Sequence, residues 1–373
     1  MQSDILFEVR NHIGYITLNR PAALNALSIG MTGAMHHQLK VWETDPNVYA
    51  VLVRGAGGKA FCAGGDLRAL YDSFKTSTRM GPMADPMDPA QHGVFFLEEY
   101  RLDHTIHRYP KPYIALMDGI VMGGGMGIAQ GATLRIVTGR TRMAMPETGI
   151  GLFPDVGGSY FLACLPGAVG EYLGLTGSHL QAADALYTGL ADLYLAQAEV
   201  DRLDSTLDKL HWSDLPADDI LNILRAMGVT ALPAPPLQTV RSAIDQHFSK
   251  ASTIEIIRSL QGEVRPGLRD WAAQTLHTLA KRSPSMLCVT LEQLKRGKSM
   301  DLAACLRMEL DIVHRCFQQG DFLEGIRALI IDKDHTPRWN PAKMEDVTGE
   351  MVARFFRSPW SARNHPLKNL DKE

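Results

Sequence analysis

Two carboxylates and two runs of glycine are the residues of this chain whose types and spacing can do chemistry. Glu147 and Asp155 stand eight residues apart in MAMPETGIGLFPDVGGSYFL, with the apolar GIGLF stretch between them. A carboxylate held beside apolar side chains gains proton affinity, and can then serve as a base or a nucleophile near neutral pH. Each has a plainer role open to it. Glu147 follows Pro146 and suits the start of a helix, while Asp155 suits the N-cap of a helix that follows it. The glycine runs are KAFCAGGD and VMGGGMG. Glycine lets a backbone approach a ligand closely and turn its N–H outward. Two such N–H groups aimed at one oxygen make an oxyanion hole for an acyl carbonyl. Either run alone reads as a tight turn. The pair, each behind a strand, favours a site.

The elements that must position these residues are legible as patterns. Strand-like segments ILFEV, YITL, YAVLVRG, PYIALMDG and LRIVTG alternate with helical stretches such as Met31 to Glu43 and Phe95 to His107. That alternation predicts an α/β architecture with parallel pairing. KAFCAGGD comes after YAVLVRGAG, and VMGGGMG after PYIALMDG. Beyond residue 165 the chain turns mainly helical. In DLAACLRMELDIVHRCF, Leu302, Leu306, Leu310, Val313 and Phe317 recur at helical steps and predict a core-facing stripe. The expected division is a core over 1–210, carrying the glycines and carboxylates, and a mainly helical region over 211–373 packing on it. Two stretches rich in helix breakers are expected to be loose: 72–93, as a mobile loop beside the site, and the Pro-rich connection 228–238.

Composition narrows the partners. Lys and Arg number 38 against 41 Asp and Glu, a net charge of −3, and no basic run is longer than Lys281-Arg282. A nucleic-acid or anionic-membrane surface needs a denser basic patch, so a small molecule is the expected partner. Apolar residues make up 45% and charged residues 21%, as in globular chains, and no apolar run reaches ~20 residues. The five cysteines (Cys62, Cys164, Cys288, Cys305, Cys316) are odd in number and form no CxxC pair, which suits reduced thiols. The opening MQSDILFEVRNHIGYITLNRP resembles neither a signal peptide nor an amphipathic presequence. A cytoplasmic location is expected, or the mitochondrial matrix if a presequence has been removed. HExxH, EF-hand, GxSxG and P-loop motifs are absent, so no metal or redox cofactor is expected. His36 and His37, neighbours in a helix, are expected on the surface.

AFCAGGD, GGGMGIA, PETGIGLFPDVGG and the late EGIRA occur in an order that resembles the crotonase (enoyl-CoA hydratase/isomerase) superfamily across most of the chain, and NRPAALNAL agrees. The resemblance implies a spiral of ββα turns followed by C-terminal helices. It implies that the backbone N–H groups of Gly65 and Gly124 form the oxyanion hole, with Gly64 and Gly123 beside them against the substrate. Ala63 would lie where the family's main chain meets the adenine of coenzyme A. Coenzyme A would enter as part of the substrate, and a homo-oligomer stays open.

Departures from the family pattern bear on the reaction. Hydratases carry a glutamate two residues after the GGG triplet, where this chain has Gly127, and a second one matching Glu147. Where they have a PGAGG-like string, this chain has PDVGG and so Asp155; dienoyl-CoA isomerases resemble it there. The fuller PETGIGLFPDVGGSYFL, EEY at 98–100 and DFLEGIRALIIDKDHTPRW are similar to the 3-hydroxyisobutyryl-CoA hydrolases, a resemblance that also assigns substrate contact to Glu99. Hydrolysis of a short 3-hydroxyacyl-CoA thioester is therefore expected, with Glu147 as nucleophile or base and Asp155 orienting the substrate hydroxyl or the water. An isomerase or hydratase, and a non-catalytic binding subunit, are the alternatives.

Overall fold

The computed structural model describes residues 3–79, 92–229 and 232–372. Among them are nine strands: β1 (Ile5–Arg10), β2 (Ile13–Leu18), β3 (Ala50–Gly55), β4 (Ala60–Cys62), β5 (Tyr113–Met117), β6 (Ile120–Met122), β7 (Leu134–Thr138), β8 (Arg142–Ala144) and β9 (Leu193–Leu195). The five expected strands are β1, β2, β3, β5 and β7. The other four have three residues each, too few for a periodic pattern to show.

Six strands form one sheet in the order β1-β2-β3-β5-β7-β9, antiparallel between β1 and β2 and parallel elsewhere. The remaining three, β4-β6-β8, form a second parallel sheet. The chain makes one move three times: a long strand, a sharp turn, then a short strand of the second sheet. Backbone bonds tie successive turns together, Ile120 N–H to the Lys59 carbonyl (3.2 Å) and Arg142 N–H to the Gly119 carbonyl (2.8 Å). This is the expected spiral of ββα turns. β5 (YIALM) is buried at every residue, which is why it reads as a continuous apolar run rather than an alternating one.

Contacts divide the chain into two units, each assembled from three stretches. The first comprises Met1–Gly65, Arg101–Ala144 and His179–Gln238 and holds both sheets. Its core joins Ile13, Leu52, Ile114 and Ile136 of the larger sheet to Leu203, Leu207, Ile220 and Leu224 of helices Gln197–Leu207 and Pro216–Met227. Each such side chain contributes roughly 1.5–3 kcal/mol by leaving water.

The second unit, Asp66–Tyr100, Met145–Ser178 and Thr239–Glu373, is helical. Its longest helix, Leu302–Gln319, starts where the Asp301 side chain accepts from Ala304 N–H, and stops at Gly320 in the left-handed region. Four of the five predicted stripe residues face inward, Leu306, Leu310, Val313 and Phe317, while Leu302 in the first turn is half-buried.

Several expectations need correction. Residues 72–79 are not loop but the second half of helix Leu67–Arg79, where the Phe74 ring stacks on Phe317 at 5.7 Å and gives the helix an apolar anchor. Residues 92–93 open helix His92–His107, and the rest of that stretch lies outside the described residues. In the Pro-rich connection, 228–229 and 232–235 form no regular element, and Pro236 opens helix Pro236–Phe248. His37 is exposed as expected, but His36 is half-buried with a ring nitrogen 3.1 Å from Thr105 Oγ1. Among the described residues no helix is long and apolar enough to cross a membrane.

Candidate active site

The candidate residues fall into two sets. The glycines belong to the first unit, where β4 ends at Cys62 and runs into Ala63, Gly64 and Gly65. Gly64 has φ +100°, and a Cβ there would stand 3.2 Å from the Met122 carbonyl oxygen and 3.6 Å from Gly124 N. The two glycine runs therefore meet backbone to backbone. Ala63 N–H is spent on the Leu24 carbonyl (3.1 Å), and Leu27 N–H donates to the Gly64 carbonyl (2.8 Å). The parallel bridge between Leu27 and Gly65 runs through the neighbours of Gly65, so it does not consume that residue's own N–H. Gly123, at φ 49° and ψ −122°, precedes helix Gly124–Gln130. Gly124 opens that helix, and a first-turn N–H has no acceptor within its own helix. At Gly125 a Cβ would stand 2.4 Å from the Cys62 carbonyl oxygen, so only glycine lets the helix lie this close to β4.

The carboxylates belong to the second unit. Glu147 opens a 3-10 turn, Glu147–Ile150, directly after Pro146. Asp155 follows Pro154 and precedes Val156 (φ 52°) and Gly157 (φ 84°). It is not the N-cap of the next helix, Gly158–Phe161, whose cap is Gly157; its Oδ2 accepts instead from the Tyr100 hydroxyl at 2.8 Å. Glu99 lies beside Tyr100 on helix His92–His107. Glu99, Glu147 and Asp155 are 2%, 5% and 4% exposed, so all three are interior.

Their proton affinities move together. Burial raises the pKa of Glu99, and the charges of Asp155 and Glu147 raise it further. Burial and then Asp155 hold Glu147 well above the usual carboxylate range, opposed by its own backbone N–H and the Arg282 guanidinium. Asp155 is pushed up to about 7 by burial, with the Tyr100 hydroxyl and its own backbone N–H holding it down. One oxygen of Glu99 (Oε1) and one of Glu147 (Oε2) are buried without a hydrogen-bond partner. Such an acceptor is costly unless a donor reaches it. The structure thus brings Glu99, Glu147 and Asp155 into one electrostatic cluster, and Gly64, Gly123 and Gly124 into one backbone junction with Gly65 next in the chain.

Sequence reasoning missed Tyr100, Arg282 and Glu309. Tyr100 was in view as the last letter of EEY. Glu309 gave a fainter signal: it falls three residues after Leu306 and four before Val313, a charged residue on an apolar stripe. Arg282 carries no local signal; its partners, Glu147 and the Thr176 carbonyl, are distant in sequence.

The spiral of ββα turns, the glycine junction and the buried acids together define a class. The enoyl-CoA hydratase/isomerase model matches residues 13–356, and the chain belongs to that family. Among curated relatives, the mitochondrial 3-hydroxyisobutyryl-CoA hydrolase of Xenopus tropicalis is 42% identical over 92% of this chain and 86% of its own. The Homo sapiens protein of the same name is 38% identical over 95% and 89%. Two solved structures are also similar. A carnitinyl-CoA dehydratase from Mycobacterium thermoresistibile is 38% identical with a TM-score of 0.84, covering 95% of this chain and 97% of its own. An enoyl-CoA hydratase from Rhodobacter sphaeroides 2.4.1 is 36% identical with a TM-score of 0.83, covering 96% and 98%. The curated relatives are named as mitochondrial, which lends the cytoplasmic expectation no support.

Proposed function

We propose that this protein hydrolyses a short 3-hydroxyacyl-CoA thioester, 3-hydroxyisobutyryl-CoA above all, to the free acid and coenzyme A. The observation that carries the site assignment is the interior Glu147, with one oxygen unpartnered and its proton affinity raised by burial and then by Asp155. The names of the curated relatives support the substrate.

In this reaction Gly65 and Gly124 N–H groups polarise the thioester carbonyl, each donor contributing about 3 kcal/mol once charge develops on the oxygen. Glu147 attacks the carbonyl carbon, giving a mixed anhydride that water then opens, or it takes a proton from a water that attacks directly. In the nucleophilic route the thiolate leaves as the anhydride forms, and water then attacks the Glu147 carboxyl carbon, releasing the acid with a former Glu147 oxygen. In the other route water adds to the acyl carbon and the thiolate leaves. Neither departure needs a strong acid, because thiolates are stable near neutral pH. Asp155 orients the substrate hydroxyl or the water, and Glu99 contacts the substrate. The reaction so written uses water and the chain's own groups, with coenzyme A arriving as part of the substrate. Single turnover in 18O-water separates the two routes: label enters Glu147 only if it is the nucleophile.

Hydration of an unsaturated acyl-CoA is the second reading, favoured by the names of the two solved relatives. Against it stands Gly127, buried within helix Gly124–Gln130 where hydratases carry a glutamate. A thiol-release assay alongside loss of the enoyl chromophore decides. We expect free thiol from 3-hydroxyisobutyryl-CoA and little change with crotonyl-CoA. Brisk hydration of crotonyl-CoA with no thiol would overturn the hydrolase reading and leave the family membership intact.

A further inference from the structure

Asp155 stands on a turn that two later helices hold from behind. Glu309, on helix Leu302–Gln319, is fully buried and spends both carboxylate oxygens there. Its Oε2 accepts from Gly157 N–H and its Oε1 from Ser159 N–H, each at 2.8 Å. Gln293, on helix Pro284–Gly297, donates to the Pro154 carbonyl. Between these anchors Val156 sits at φ 52°. A β-branched side chain in the left-handed region is strained, and such a conformation persists only where its surroundings impose it.

A buried carboxylate is itself costly, and a neutral side chain of the same size would fill the space more cheaply. What the acid offers is two acceptors on one rigid group, matched to two N–H groups two residues apart. We propose that Glu309 is a positioning residue for Asp155: its carboxylate clamps the 156–159 turn and thereby aims the Asp155 side chain at Tyr100. This rests on the assignment of Asp155 to the site in the proposed function.

Glutamine at 309 keeps the volume and one acceptor, but its amide nitrogen then faces an N–H donor. One clamp is lost and Val156 is free to relax, moving Asp155. A displacement of about 1 Å in a reacting group costs on the order of a hundredfold in rate.

The test is a double-mutant cycle of Glu309→Gln with Asp155→Asn, reading kcat and KM for thiol release, with thermal unfolding of each variant as a check. Glu309→Gln alone should lower kcat on that scale with KM little changed. In the Asp155→Asn background it should add little further loss, because the residue it serves is already disabled. Should Glu309→Gln fail to fold, Glu309→Asp, which keeps both acceptors on a shorter reach, replaces it and should give a smaller loss with the same non-additivity. Near-normal kcat in the folded Glu309 variant, or losses that multiply across the cycle, would overturn the positioning role while leaving Asp155 in the site. Normal kcat in Asp155→Asn alone would remove Asp155 from the mechanism, and the positioning role with it.

Discussion

The Tyr100 hydroxyl donates to Asp155 Oδ2 at 2.8 Å, and this bond stabilises the anion of a carboxylate that burial otherwise protonates. Two effects of opposite sign meet on one group. Burial raises the pKa of Asp155, the hydroxyl pulls it back, and the balance falls at about 7.

Removing the hydroxyl should tip that balance. In Tyr100→Phe the ring still fills its place, but the anion loses its donor and the pKa of Asp155 climbs above about 7. If the anion is the working form, the acidic limb of the kcat/KM profile moves to higher pH, and activity at pH 7 falls more than activity at pH 9. A pH profile of the variant matching wild type, limb for limb, would show that this bond does not tune the reaction.

The same shifts predict how stability varies with pH. Glu99, Glu147 and Asp155 all have raised pKa values, so between their unfolded pKa values, near 4, and their folded ones the native state holds more protons than the unfolded chain. Stability must then fall as pH rises through that window. For Asp155 the window closes at about 7. Asp155→Asn should accordingly raise the melting temperature at pH 7.5 relative to wild type, by up to a few kcal/mol in free energy, and by little at pH 4. Melting curves at the two pH values check this. An equal effect of the substitution at both would mean that Asp155 has no raised pKa.

Glu147→Gln should abolish turnover while the protein folds and binds acyl-CoA. The amide keeps the shape but can neither attack the carbonyl nor take a proton, and loss of such a group lowers kcat by two or more orders of magnitude. The amide also replaces a carboxyl whose ionised form burial and Asp155 oppose, so the variant should melt no lower than wild type. Thiol release within a few-fold of normal would remove Glu147 from the chemistry.

How much of this was legible in the sequence depended on whether a signal was local. β3 and β5 announce themselves because five or six apolar residues in a row leave no other economical structure. β4 and β6 do not, since AFC and IVM are too short to show a period, yet they set the glycine junction. Glu147 and Asp155 stood out through their spacing and their apolar surroundings. Tyr100 and Arg282 act on them from positions 55 residues before Asp155 and 135 after Glu147, and sequence distance hides such contacts. The loop expected over 72–93 rests on helix breakers that all lie beyond residue 80 (Gly81, Pro82, Pro86, Pro89, Gly93), whereas over 72–79 Phe74 stacks on Phe317 and holds a helix.

The glycine junction makes the last prediction, and it is one that separates strain from function. At Gly64 the backbone has φ +100°, and an added Cβ would lie 3.2 Å from the Met122 carbonyl oxygen and 3.6 Å from Gly124 N. Gly64→Ala therefore brings two penalties: a conformation that L side chains resist, and a contact that pushes apart the two runs supplying the proposed oxyanion donors. Gly189, just past helix Ala182–Thr188 in the same unit, has φ +81° with nothing within 4 Å of an added Cβ. Gly189→Ala thus carries the backbone penalty alone. Both variants should melt lower than wild type, each by about 1 kcal/mol or somewhat more in free energy. Only Gly64→Ala should lose kcat, by on the order of a hundredfold if one donor is displaced. Kinetics and melting curves on the pair supply the comparison. Equal kcat in the two variants, with both destabilised, would show that the junction at Gly64 is a turn and that the carbonyl is held elsewhere.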